Sequence, residues 1–193
     1  MRQENKDKRE AQIAEAAYKL LEHKGFSNVS MLMIARAAKA SNETLYRWYG
    51  DKHGLFLALV RRNTDEVRHV LQDVPLEDGL AANLSRIGPV LLGMLLGARA
   101  VALNRAAAAD PSGDLGRALA LAGRDVVAPL LADLMTGLSD RMDPVAATEL
   151  YLSLLIGDQQ IRRVIGVMPL PDPPALQARA DAALDHFMDL VRF

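Results

Sequence analysis

Between Ile13 and Leu59 the chain is cut by small and capping residues into helical pieces, two of them too short to stand alone. Ile13, Ala16, Ala17, Leu20 and Leu21 recur at i, i+3, i+4, i+7 and i+8, one face of a helix over residues 6–24. Gly25 stands where a left-handed residue ends such a helix without strain. Phe26 follows as an anchor for a small core. Ser30 suits the cap of a second helix, 31–38, with Ile34 and Ala35 facing inward. After the link Lys39-Ala40, Ser41 suits the cap of a third, 42–49. Gly50-Asp51 ends that helix and opens a fourth, about 52–71. A two-turn helix is marginal in water by itself, so these segments must pack on one another.

At 100° per residue, Leu45 and Tyr49 share one face of the third helix, with Ile34 and Ala38 as neighbours. Glu43, Thr44, Arg47 and Trp48 fall on the other side. A short helix held from behind with its polar face outward suits the DNA major groove. Arg47 can donate two hydrogen bonds to a guanine edge. Thr44 and Tyr46 can reach phosphates or a thymine methyl. Lys52 and the open N–H groups at the start of the fourth helix suit a backbone phosphate, and so does Ser30. Ser41, Asn42 and Glu43 complete the candidate DNA-contacting set. Trp48 reads equally as a groove residue and as a small-core aromatic. Lys6, Lys8 and Arg9 read either as a solvated tail or as an arm on DNA.

The spacing Ile13-x-x-Ala16-Ala17-x-x-Leu20-x-x-x-x-Gly25-Phe26-x-x-Val29-Ser30-x-x-x-Ile34-Ala35-x-x-Ala38-x-x-Ser41-x-x-Thr44-Leu45-Tyr46-x-x-Tyr49-x-x-Lys52-x-x-Leu55 resembles the DNA-binding region of the TetR/AcrR family of transcriptional regulators. The resemblance covers about residues 10–60. It implies a dimer on a partly palindromic operator, most often a repressor, with the first three helices as the head. It also implies a body that binds a small molecule and thereby respaces the heads, and a four-helix bundle made by the last two helices of each subunit. The turn and two aromatic positions depart from the family habit. Lys39-Ala40 stands where glycine and an aliphatic residue are usual, so Lys39 must adopt a left-handed backbone. Tyr49 replaces phenylalanine and adds a hydroxyl that needs a partner. Trp48 replaces a common His or Tyr.

The net charge of −1 hides a division: residues 1–53 carry +3 and hold all six lysines, while residues 54–193 carry −4. A basic head on an acidic body suits a protein whose head meets phosphate. The chain contains no cysteine, which excludes disulfides and thiolate metal sites. Its first ten residues are charged and lack the apolar stretch of a signal peptide. The longest apolar run, 87–98, is too short to span a bilayer. A soluble, cytoplasmic protein with no membrane partner is expected. His23, His53, His69 and His186 are scattered without metal-ligand spacing. With no nucleophile elbow, Gly-rich phosphate loop or Cys/His pair, no enzyme activity, metal or cofactor is expected.

The rest of the chain reads as helix after helix, giving an all-α fold of about nine helices. Residues 1–52 form the helix-turn-helix head, and 53–193 the ligand-binding and dimerisation body. Breaks fall at 74–79, Gly97 and 110–113. A long helix over 114–138 should kink at Pro129. Another runs from Asp143-Pro144 to Gly166, and a last one over 175–191 follows a proline-rich loop. Apolar residues nearly all round the 143–166 helix demand cover on every side. Leu152, Leu155 and Ile156, with Leu184, Phe187 and Val191 from the last helix, are therefore the candidate dimer interface. Met94, Asn104, Met135 and Gln159 are candidates for contact with an unidentified small-molecule effector. The two methionines read as core before they read as pocket. Glu149, Asp158, Gln159 and Gln160 are further polar groups on apolar helices, able to orient a ligand or to satisfy a neighbour. Two alternatives remain: a helical small-molecule-binding protein, and a structural DNA-binding protein of the same fold.

Overall fold

Glycine, proline and capping side chains place most of the helix ends in the computed structural model, which describes residues 2–73, 79–138 and 142–192. The elements are α1 (Arg2–Lys24), α2 (Met31–Ala37), α3 (Asn42–Tyr49), α4 (Lys52–Gln72), α5 (Leu80–Leu96), α6 (Ala98–Ala108), α7 (Asp114–Leu119), α8 (Asp125–Leu134), α9 (Pro144–Ile156), α10 (Gln159–Val164) and α11 (Pro173–Arg192). A π-turn, Ala120–Arg124, joins α7 to α8, and a 3₁₀ turn, Met135–Leu138, follows α8. No strand occurs among the described residues. The fold is all-α, as expected. The break expected at 74–79 lies, except for Gly79, outside the described residues.

Two helices expected as continuous are interrupted. The first irregularity lies at Ala120–Arg124, ahead of Pro129, which sits inside α8. A π-turn displaces one helical carbonyl from its usual partner. The Thr64 hydroxyl of α4, itself buried, points at the Ala122 carbonyl at 2.9 Å. The second break is Gly157 (φ 52°, ψ −133°), which ends α9 and separates it from α10. Arg179 of α11 donates through Nε to the Leu155 carbonyl at 3.0 Å and through Nη2 to that of Leu154. An arginine there satisfies the orphan carbonyls and complements the helix dipole. These two splits account for eleven α-helices among the described residues where about nine were expected.

The buried residues form two clusters. One gathers α1, α2, α3 and the start of α4, and continues into Ala102, Leu103 and Ala106 of α6, Leu115 of α7 and Ala122. The other joins Val67 and Leu71 of α4 to α5, α8, α9 and α11. α4 thus runs through both. Tyr18 of α1 donates its hydroxyl to the Leu59 carbonyl at 2.5 Å, tying α1 to the middle of α4. Gly97 bends α5 against α6 by 53°. Among the described residues no single helix is long and apolar enough to cross a membrane.

α5 and α11 approach closely at Gly88. A methyl there would lie 2.7 Å from the Tyr151 hydroxyl and 3.0 Å from the Ala180 Cβ. Tyr151 is fully buried, so neither neighbour can yield. Gly88→Ala is expected to destabilise the fold by about 1–3 kcal/mol through overpacking, read as a lower midpoint in urea unfolding.

Candidate nucleic-acid interface

The α2–α3 unit is built from the caps inward. Ser30 Oγ accepts from the Met33 N–H at 3.2 Å and starts α2. At its far end the Lys39 N–H donates to the Arg36 carbonyl at 3.2 Å, and the Ala40 N–H to that of Ala35 at 2.9 Å. This pair of bonds is a Schellman closure. It requires a left-handed residue, and Lys39 takes that role at φ 52°. Arg9 of α1 steadies the turn: its Nη1 donates to the Lys39 carbonyl at 3.2 Å and to that of Ala38 at 3.5 Å. Lys6, Lys8 and Arg9 accordingly lie within α1, where Lys6 pairs with Glu10 at 3.5 Å.

Ser41 Oγ accepts from the Thr44 N–H at 3.0 Å and lies 2.8 Å from Thr44 Oγ1. Beneath α3, Leu45 is fully buried. Glu43, Tyr46 and Arg47 are exposed on the opposite arc, flanked by half-buried Asn42 and Thr44. Trp48 turns the other way. It is half-buried, packs against the head core and meets the Tyr49 ring edge-on at 6.4 Å. Of its two readings the structure gives it the small-core one, because position 48 falls within 60° of Leu45 on the helix. Burial, with the nearby Glu10 carboxylate adding to it, pushes the Tyr49 hydroxyl up to about 12.

Lys52 occupies a different place from the one its motif position suggests. Its Nζ donates to the carbonyls of Phe26 and Val29, each at 2.9 Å, and stands 4.2 Å from the Phe26 ring centroid. Burial lowers its pKa. Two of its three donors therefore hold the α1–α2 loop against α4, and one remains for an outside partner. Asp51 Oδ1 caps α4 through the Gly54 N–H at 2.8 Å.

Two residues outside the predicted set position the face. Arg9 is one. The other is Gly54, where a Cβ would lie 1.9 Å from the Tyr49 carbonyl oxygen. The end of α3 rests directly on the first turn of α4, backbone against backbone. An isolated glycine in an otherwise helical stretch is the sequence signal for such an approach.

The second candidate site is a cavity of about 650 Å³ between α4, α5, α6, α7, the π-turn, α8, α9 and the start of α10. Val60, Leu91, Leu95, Leu103, Val127 and Leu152 give it apolar walls. Met94 and Asn104, both singled out in the sequence, line it, as do Glu149 and Gln160. Met135 does not: it is fully buried in the second core cluster. Gln159 and Asp158 also lie off its wall, because the break at Gly157 turns α10 so that Gln160 faces in. Of the six predicted interface residues, Leu155, Phe187 and Val191 are 0%, 0% and 4% exposed and belong to the subunit's own core. They offer a partner no surface, which corrects that assignment. Leu152 and Ile156 line the cavity, and Leu184 is half-buried. Among the described residues no group of three or more His, Cys, Asp or Glu could hold a metal ion.

The sequence pattern of the family described as bacterial regulatory proteins, tetR family, matches residues 13–59. The chain is 30% identical over 82 residues to the HTH-type transcriptional regulator HbdR of Aromatoleum sp. (strain CIB); the match covers 42% of this chain and 34% of HbdR, about a third of that relative. A TetR transcriptional regulator from Agrobacterium tumefaciens superposes with a TM-score of 0.77 at 28% identity, covering 94% of this chain and 93% of that one. The flavonoid-responsive regulator FrrA superposes with a TM-score of 0.69 at 26% identity, covering 95% and 97%.

Two opposite substitutions test the turn and the crossing. Lys39→Gly should stabilise the protein by about 0.5–1 kcal/mol, the left-handed strain relieved outweighing the entropy glycine adds. Gly54→Ala should displace α3 and abolish specific DNA binding while circular dichroism shows the helical content retained.

Proposed function

Because the chain belongs to the tetR family of bacterial regulatory proteins, we propose that it acts as a dimeric repressor that binds a two-fold operator and is released by a small molecule. Residues 1–52 serve as the DNA-binding head and residues 53–193 as the part that holds ligand and partner. The observation that carries the reading is the arc of α3 left outside, with Glu43, Tyr46 and Arg47 exposed above a fully buried Leu45. Arg47 is long and planar enough to bond a guanine edge twice. Tyr46, half exposed, reaches phosphate. Ser30, Ser41, Asn42 and Thr44 stand at helix starts, where N–H groups favour anions. Lys52 contributes at most one donor to phosphate and acts first as a staple.

Release by a ligand is supported by α6. Ala100, Leu103 and Asn104 line the cavity, while Ala102, Leu103 and Ala106 belong to the cluster that includes the head. Arg99, also on α6, pairs with Glu15 of α1 at 3.1 Å and lies 5.1 Å from the Tyr18 ring centroid. One helix is thus a wall of the cavity and a support of the head. A ligand shifts DNA affinity only by its differential affinity for the two head placements, and α6 is the element through which occupancy would bias them.

The dimer surface moves to residues the subunit leaves accessible. On α9 these are half-buried Leu150 and Leu154; on α11 they are Ala178, Ala182 and Leu190, all exposed. Small residues at such a seam permit close helix approach in a two-fold pair. Sedimentation at micromolar concentration should give a dimer, and Ala182→Glu should give a folded monomer.

The direct test is titration against DNA from upstream of the protein's own gene, by fluorescence anisotropy at two salt concentrations. Affinity should fall with salt at a slope of about −0.9 per phosphate contact. Arg47→Ala should cost about 1–3 kcal/mol and relax preference at one base pair, with thermal stability unchanged. Lys52→Met should instead lower thermal stability. An Arg47→Ala protein that discriminates operator variants as wild type does would contradict the groove assignment.

A further inference from the structure

A smaller cavity of about 490 Å³ lies between the end of α1, α6, Arg163 of α10 and the segment that follows α10. α6 separates it from the larger one. Ala100, Leu103 and Asn104 line the larger cavity, while Ala98, Val101 and Arg105 line the smaller, on opposite flanks of a helix at 100° per residue. Arg105 and Arg163 are held by main-chain carbonyls alone. Arg163 donates through Nε to Leu96 and through Nη1 to Met168, each at 2.8 Å. Arg105 donates through Nε to Val164 at 2.6 Å and through Nη2 to the Arg163 carbonyl at 3.4 Å. Among the described residues neither has a carboxylate at ion-pair distance. A bond to a carbonyl does not discharge a guanidinium, and a helix C-terminus returns only about half a negative charge. Nη1 of Arg105 and Nη2 of Arg163 bond no atom of the described residues. The start of α6 adds to the positive wall: Gly97 brings no side-chain cap, and Ala98 lines the cavity, so first-turn N–H groups there lack helical partners. Glu22, exposed to water, is the one carboxylate among the lining residues.

We infer that this smaller cavity is a separate ligand site for a small organic anion, its carboxylate or phosphate on the two arginines and its apolar end on Val101, Met168 and Pro169. The inference depends neither on the larger cavity holding a ligand nor on α3 reading DNA. Arginine is weakly hydrated and presents a planar fork to oxyanions. The carbonyl bonds already fix both side chains, so little of their freedom is lost when an anion arrives. The volume suits a small molecule. An uncharged ligand would leave both guanidinium charges unanswered, and a cation would be repelled by them. An occupant would touch α1 and α6 at once, the two helices that the Arg99–Glu15 pair joins.

The test titrates the full chain with hexanoate, hexyl phosphate, 1-hexanol and hexylammonium at neutral pH and fixed ionic strength. Binding is followed by the amide NMR signals of Gly166, Val167 and Met168, which line this cavity and not the larger. The better of the two anions, which tells carboxylate from phosphate, should bind about tenfold more tightly than hexanol, the effect of one charge-assisted hydrogen bond. Hexylammonium should bind more weakly than hexanol. Arg105→Gln and Arg163→Gln, each able to keep a donor for its carbonyl, should each weaken the anion about tenfold and leave hexanol unchanged. Glu22→Gln, at an exposed position, removes only the opposing charge and should tighten the anion about threefold, the size of a surface charge effect. Ala128→Trp, in the wall of the larger cavity, should leave anion binding as it is. The inference is overturned if the anions bind no better than the alcohol, if the ammonium binds best, if no compound moves these signals, or if Glu22→Gln leaves anion affinity unchanged. Loss of anion binding in Ala128→Trp would place the anion in the larger cavity and overturn it as well.

Discussion

An eight-residue helix must lie at one fixed angle on DNA, yet it has too few internal hydrogen bonds to hold itself. The head exists to supply what α3 lacks. Leu45 fastens it from beneath, and Ser41 ties its first turn. The left-handed Lys39 sets its angle to α2, and the Tyr49 carbonyl seats its end on Gly54. None of these groups needs to touch DNA, but each limits where Arg47 and Tyr46 can point. On the proposed reading, small changes in the packing behind α3 therefore act as changes in DNA affinity.

Arginine performs a recurring task in this chain. Arg9 bonds the carbonyls ending α2, Arg163 bonds Leu96 at the end of α5, Arg105 bonds Val164 at the end of α10, and Arg179 bonds those ending α9. Each places a cation at the negative end of a helix dipole and satisfies carbonyls that the helix itself cannot. The result is a set of short helices locked end to side. α6 stands among them with the cavity on one flank and α1 on the other.

Much of the head was legible because its signals are local. Gly25, Ser30, Ser41 and Gly50 each act within four residues, and the bounds of α3 follow from Ser41 and Gly50; the left-handed Lys39 was legible only through the resemblance, which places a glycine there. The site's supports were not legible, because their partners are distant in the chain: Arg9 acts 30 residues away on Lys39, and Lys52 acts 26 away on Phe26. In the body, apolar residues all round α9 signalled cover on every side but not by what. Leu155 turned out to be covered by the subunit itself, and Leu152 by the cavity. The break at Gly157 decided which of Gln159 and Gln160 faces the cavity, and periodicity carried across a break misplaces every residue after it.

The central claim is that this face of α3 reads sequence, twice, in a two-fold pair. Selection of bound fragments from a random DNA pool by the purified full chain tests it without knowledge of the target gene. The account predicts an enriched motif of two inverted halves whose centres lie about one helical turn, or a multiple of it, apart. Recovery of unenriched DNA, or of a single half-site with no symmetric mate, would contradict it.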